Sequence, residues 1–304
     1  MISLFLAIAC SSTIALIFKI TETGKMNRYT ITCFNYLTAS AISGLFIALQ
    51  GIPLNFQGNW FNLLKTVLVA VSDSTILTES HGFVWAVTSG GIAGIFFFCS
   101  FIFYQISVKK YGAGISGAFA KLGIFLPMIL SVVIWREIPS RFQWIGMGFA
   151  GFALLAVNIP SMKSLKSLRF SLLALFFWGG MAEFSNKIFQ KYASFDFKPL
   201  FLLTTFCSAF VYSVAVLVYR RDIPIFRDII MGIAVGIPNL FSSFFLIDAL
   251  ARLPAAAVFS LFGAGTIVII NIAGMVFWKE KLNIWELVSI IMTVIGIIFV
   301  ALSG

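Results

Sequence analysis

Apolar residues run through this chain in long blocks, at 3–20, 30–49, 83–107, 113–134, 142–159, 170–188, 200–219, 229–250, 255–277 and 285–302, divided by polar connectors. Each block is close to the roughly 17–25 residues that carry an α-helix across a bilayer. The blocks are apolar all round and lack the period-two alternation of a membrane strand, so helices are predicted throughout. Pro127 and Pro238 fall inside blocks, where a lost backbone hydrogen bond predicts a kink. No basic residue precedes the first block and no small-residue cleavage pattern follows it, which predicts a span and not a signal peptide. The connector 50–82 is much the longest. Its middle places Trp60, Leu64, Leu68 and Val71 at helical spacing around Asn62 and Lys65, too short to span, and predicts an amphipathic helix lying in the interface.

The blocks repeat. Phe98-Cys99-Ser100-Phe101 aligns with Phe241-Ser242-Ser243-Phe244, and Trp135-Arg136-Glu137 with Trp278-Lys279-Glu280, both at a shift of 143. Ile17-Phe18-Lys19 aligns with Phe189-Gln190-Lys191 at a shift of 172, and the long connector accounts for the difference. Each half, 1–159 and 160–304, then holds five blocks, and an odd number makes the second half enter the membrane from the opposite side. The expected fold is all-α and integral to the membrane, ten transmembrane helices in two inverted five-helix repeats. In such proteins a site near the midplane opens to either side as one half rocks against the other.

Composition fits this picture. Of 304 residues, 60% are hydrophobic and 11% charged, and the mean hydropathy is +1.03, far from the quarter of charged residues in soluble domains. The 35 phenylalanines suit a lipid-facing surface. The net charge of +10 sits in short runs between blocks, not on one solvated face, which argues against nucleic acid as a partner. Cys10, Cys33, Cys99 and Cys207 lie within blocks at spacings that match no zinc or redox motif, and no metal or cofactor is expected.

Two five-block halves, each closing with Trp-x-Glu before its last block, resemble the drug/metabolite transporter superfamily, in particular its EamA-like ten-helix members. The resemblance spans nearly the whole chain, apart from the long connector. It implies a carrier of the bacterial inner membrane, often an exporter of amino acids, related metabolites or toxic compounds. A second likeness, Ala182-Glu183 with Lys191 eight residues on, is to the first helix of the small multidrug resistance branch, where the acid couples protons. The first half has Ser11 at the position aligned with Glu183.

Ionisable groups at membrane depth cost about 2.5–3.5 kcal/mol on insertion scales and mark candidate sites. Lys121 is the ninth residue of its block, about 12 Å in, with no acid three or four residues away. It either lines a central cavity and binds an anionic group of the substrate, or pairs with Glu183 or an asparagine. Glu183 either lines the same cavity as a proton-coupling or cation-binding group, or pairs with Lys187 four residues on. The two together could hold the ends of a zwitterion such as an amino acid. Asn239, next to Pro238, and Asn271 also lie in blocks and are candidates for ligand contact or interhelical bonds. Gly90, Gly91, Gly94, Gly146, Ala150 and Gly151 form small-residue faces for close packing. The Trp-x-Glu sites read as interface anchors, and Lys19 as a snorkelling anchor.

Lysines and arginines number twelve in the odd connectors and six in the even ones, which puts both termini outside by the positive-inside rule. The familiar arrangement of the resembled family has both inside. The expected function is a secondary transporter, an exporter of a small anionic or zwitterionic metabolite. Alternatives are a multidrug-type exporter of cationic compounds and a non-transporting membrane subunit or sensor. An enzyme is not expected: there is one histidine, His81, the acids are scattered, and no Walker-type phosphate loop is present.

Overall fold

The structure is a computed structural model that describes residues 1–24, 26–50, 59–72, 77, 79–163, 170–279 and 284–302, with the side chains of some helical residues left out, Lys121 among them. Among the described residues the chain forms eleven α-helices: α1 (Ile2–Thr23), α2 (Arg28–Gln50), α3 (Trp60–Ser72), α4 (Glu79–Leu122), α5 (Phe125–Trp135), α6 (Arg141–Lys163), α7 (Phe170–Tyr192), α8 (Lys198–Arg220), α9 (Phe226–Leu250), α10 (Ala255–Trp278) and α11 (Ile284–Ala301). A one-turn 3-10 helix, Phe195–Phe197, precedes α8. Six described stretches are long and apolar enough to cross a membrane: Ile2–Thr21, Arg28–Gln50, Ser80–Tyr104, Lys198–Arg220, Phe226–Leu250 and Ala255–Phe277.

The third and fourth blocks come out differently from the expected pair of helices. Helical structure is continuous through the expected connector at 108–112 and stops only at Leu122. It is not one straight rod. Ser100 and Ala120 would stand about 30 Å apart on a straight helix, yet both lie within 4.0 Å of a Cβ built on Gly179. The chain therefore doubles back between them. The actual interruption falls at Gly123, where a Cβ would meet the Phe176 carbonyl oxygen at 2.7 Å and the Gly180 nitrogen at 3.2 Å. Pro127 consequently lies in the first turn of α5, where its missing N–H costs little, while Pro238 stays inside α9 as expected.

The most extensive packing crosses the middle of the sequence. α1 and α2 pack on α9, α7 and α8 pack on α4, and α6 packs on α11. Glycines set these approaches. On α4, a Cβ at Gly90 would lie 2.8 Å from the Phe201 carbonyl oxygen, and one at Gly94 would lie 2.5 Å from that of Thr205. On α9, Gly232 stands likewise 2.8 Å from the Ile31 carbonyl and Gly236 2.6 Å from that of Asn35. Gly146 of α6 and Gly296 of α11 face each other reciprocally, at 2.7 and 2.8 Å. The small-residue reading thus holds for Gly90, Gly94, Gly146 and Ala150, whose nitrogen is 3.3 Å from a Cβ on Gly296, whereas among the described residues a Cβ on Gly91 would meet nothing within 4 Å and one on Gly151 would meet the Phe125 ring at 3.6 Å.

The long connector is tied down at one end of the bundle. The Asn59 side chain accepts the Phe61 N–H at 3.0 Å and so caps α3. Leu77 donates to the Tyr192 carbonyl at 2.6 Å and accepts from the Ser194 N–H at 3.2 Å, a single parallel bridge beside Ala193. Val67, Leu77, Val84 and Tyr192 then form a small core against Trp60, Trp85 and Trp135.

Candidate binding site

Polar side chains gather on the second half of α7, where Glu183, Ser185, Asn186, Lys187, Gln190 and Lys191 follow an apolar first half. Lys187 is 3% exposed, and its Nζ lies 2.8 Å from Glu137 Oε1 and 2.9 Å from Gln190 Oε1. Lys191 Nζ reaches the same Glu137 oxygen at 3.7 Å. Glu137 Oε2 accepts the N–H of Ala255, the first residue of α10, at 3.2 Å. The Trp135 ring lies 5.8 Å from Lys187 Nζ, and its indole N–H donates to the Tyr192 hydroxyl at 2.9 Å.

Local backbone geometry delivers Glu137 to this place. Arg136 caps α5 in the left-handed conformation, φ 51°, which turns the chain back toward the bundle. Lys279, its partner in the sequence repeat, caps α10 with φ 54°. Non-glycine residues adopt this conformation rarely, and a basic side chain there also suits the negative end of the helix dipole. The glutamate of the first Trp-x-Glu motif, read from the sequence as part of an interface anchor, thus also makes an inward contact with α7 and α10. Its second copy, Glu280, lies outside the described residues.

A second ion pair joins α8 to α9: Lys198 Nζ and Asp248 Oδ1 are 2.5 Å apart, and the ammonium sits 3.4 Å above the Phe244 ring. In both pairs the lysine is buried and the carboxylate partly open, at 20% for Glu137 and 24% for Asp248.

The four candidate residues from the sequence are distributed differently. Lys121 lies in the last turn of α4, with its side chain outside the description. Glu183 is half-buried on α7 and accepts from Asn186 Nδ2 at 3.4 Å; Lys187, four residues on, turns instead to Glu137. Asn239 Nδ2 donates to Asn35 Oδ1 of α2 at 3.0 Å, the interhelical bond the sequence offered as one alternative. Asn271 lies on α10 with its Nδ2 buried and, among the described residues, without a hydrogen-bond partner. Glu137, Lys198 and Asp248 were not singled out as sites from the sequence. Asp248 lies two residues from the end of the block 229–250, too near the interface for the depth criterion that selected Glu183 to have found it.

Comparison with known proteins places this geometry in context. The EamA-like transporter family model matches residues 165–302. An uncharacterized protein of Haemophilus influenzae is 23% identical over 289 residues, covering 92% of this chain and 91% of that protein. A crystal structure of a protein 15% identical aligns over 99% of this chain and 96% of its own with a TM-score of 0.68, a shared fold over the full length. Residues 165–302 thus match the EamA-like transporter family, and the apolar helices of the chain that carries them are those of a multi-pass integral membrane protein.

Proposed function

We propose that this chain is a secondary transporter that exports a small metabolite such as an amino acid across the bacterial inner membrane by alternating access. The reading takes the helices as ten spans in two inverted repeats, 1–159 and 160–304, with α4 and α5 supplying the third and fourth. The observation that supports it is the recurrence of the glycine-lined cross-half contacts with the halves exchanged. α2 meets α9 at Gly232 and Gly236 as α8 meets α4 at Gly90 and Gly94, and the reciprocal Gly146–Gly296 contact falls where α6 meets α11. That recurrence fits a pseudo-twofold relation between the halves, and if the repeat is inverted, as the odd number of blocks per half suggests, one site can open to either side.

One part of the mechanism differs from a simple rocking of one half on the other. Because α1 and α2 hold α9, and α7 and α8 hold α4, the moving bodies each mix helices from both halves. Within this reading Lys121 and Glu183 hold the opposite charges of a zwitterion, Glu183 also serves proton coupling, and Asn271 and Asn239, the latter also bonded to Asn35, supply polar contacts to the substrate.

Metabolite profiling of cells with and without the chain, followed by flux in proteoliposomes, tests the function. Glu183→Gln and Lys121→Met are expected to abolish flux at normal expression, and flux that survives both removes their assignment. Cysteines placed at Ile138 and Lys279, after the two Trp-x-Glu helices, in a background without the four native cysteines, test the inversion. They are expected to label from opposite sides of the membrane, and labelling from one side ends the inverted-repeat reading.

A further inference from the structure

The surroundings of Glu137 contain more than one ion pair needs. Lys187 is buried to 3%, and an ammonium so placed is costly without a partner. One carboxylate oxygen would satisfy it. Here the same carboxylate also draws Lys191 to 3.7 Å and takes the Ala255 N–H at 3.2 Å. That N–H opens α10, 24 residues long, and a helix N-terminus carries about half a positive charge. Gln190 contributes by orienting the ammonium, its Oε1 accepting from Lys187 Nζ at 2.9 Å. Among the described residues, two cations and a helix N-terminus thus converge on a single negative charge.

The division of labour is also uneven. Lys187, Gln190, Lys191 and Ala255 all come from the second half, whereas Glu137 sits on the loop after α5 and is swung inward by left-handed Arg136. The donors form a fixed receptor on two helices, and the acceptor arrives on a loop. From this the geometry points to a carboxylate-binding socket built from Lys187, Gln190, Lys191 and the first N–H of α10, in which Glu137 stands in for the carboxylate of a small ligand. The ligand class is a carboxylate-bearing metabolite, which displaces the Glu137 side chain and takes over its contacts with the same net charge. The socket rests on the carrier reading only for where that ligand comes from.

Chemical rescue with acetate tests it on the purified full-length chain in detergent. Glu137→Gly empties the socket, and its thermal midpoint is expected to fall below that of the unaltered chain. Sodium acetate should then raise that midpoint by about 2–4 °C for each kcal/mol of binding recovered. Acetamide and sodium chloride at matched ionic strength should not. The unaltered chain, its socket filled by Glu137, should gain nothing from acetate, and Glu137→Gly combined with Lys187→Met should gain nothing either. Equal rescue by chloride or acetamide, or rescue that persists without Lys187, overturns the socket. Should Glu137→Gly not fold, the same comparisons are read on Glu137→Ala, which also empties the socket, and there the absence of acetate-specific stabilisation is equally fatal. Acetate rescue without flux of any metabolite would leave the socket standing and remove the carrier, and flux without rescue would do the reverse.

Discussion

The α2–α9 and α8–α4 crossings share their backbone geometry and differ in what lies between the backbones. Each has two glycines four residues apart on one helix, held against carbonyl oxygens of the other at 2.5–2.8 Å from a built Cβ. In the first crossing the polar content is an amide pair, Asn239 to Asn35 at 3.0 Å, with Asn35 Nδ2 left without a partner. In the second it is hydroxyl against backbone: Thr204 Oγ1 is 3.1 Å from the Ala86 carbonyl, and Ser208 Oγ donates to that of Gly91 at 3.0 Å. The spacing of small residues therefore dictates the approach of the helices, and the side chains in the gap are free to diverge.

Side chains that fill the gaps should have the largest effect. Gly94→Leu and Gly236→Leu should each prevent folding, read as loss of monodisperse protein in detergent. Gly94→Ala and Gly236→Ala should each cost about 1–3 kcal/mol in an unfolding titration, as overpacking does; indifference of one crossing to its alanine would show the two are not equivalent. Asn239→Leu comes next. It removes the amide bond and leaves the buried Asn35 side chain wholly unpaired, for an expected loss of about 1–3 kcal/mol. Thr204→Val should cost less, near the average of about 0.6 kcal/mol for side-chain hydrogen bonds within membranes, because its hydroxyl also leans on its own helix, 3.0 Å from the Leu200 carbonyl. The smallest effect is expected one residue from the critical position. Gly91→Ala meets nothing within 4 Å and should leave stability unchanged or raise it by up to about 1 kcal/mol through helix propensity.

Much of the architecture was legible because membranes impose simple rules. Block lengths gave the helices, and the periodicity of Trp60, Leu64 and Leu68 gave α3. What escaped was set by contacts distant in sequence or by backbone states that sequence does not advertise. Glu183 and Lys187 have the spacing of an intrahelical pair, but Glu137, fifty residues earlier on the chain, provides Lys187 with a closer partner. Its approach depends on an arginine in a conformation normally left to glycine, so the motif read as an anchor. Lys198 was counted with a connector because it opens a helix, and only the folded chain brings Asp248 to it. The break at Gly123 falls four residues before Pro127, whose missing N–H removes the helical partner of the Gly123 carbonyl, whereas the close approach of α7 at that glycine was not readable from the sequence.

The crosswise packing has a consequence for how such a chain is put together. Residues 1–159 made alone would lack α9 beneath α1 and α2, and residues 160–304 would lack α4 beneath α7 and α8. Neither fragment is a self-sufficient unit, and the two should mature only when synthesised together, at equal dose and in the same membrane.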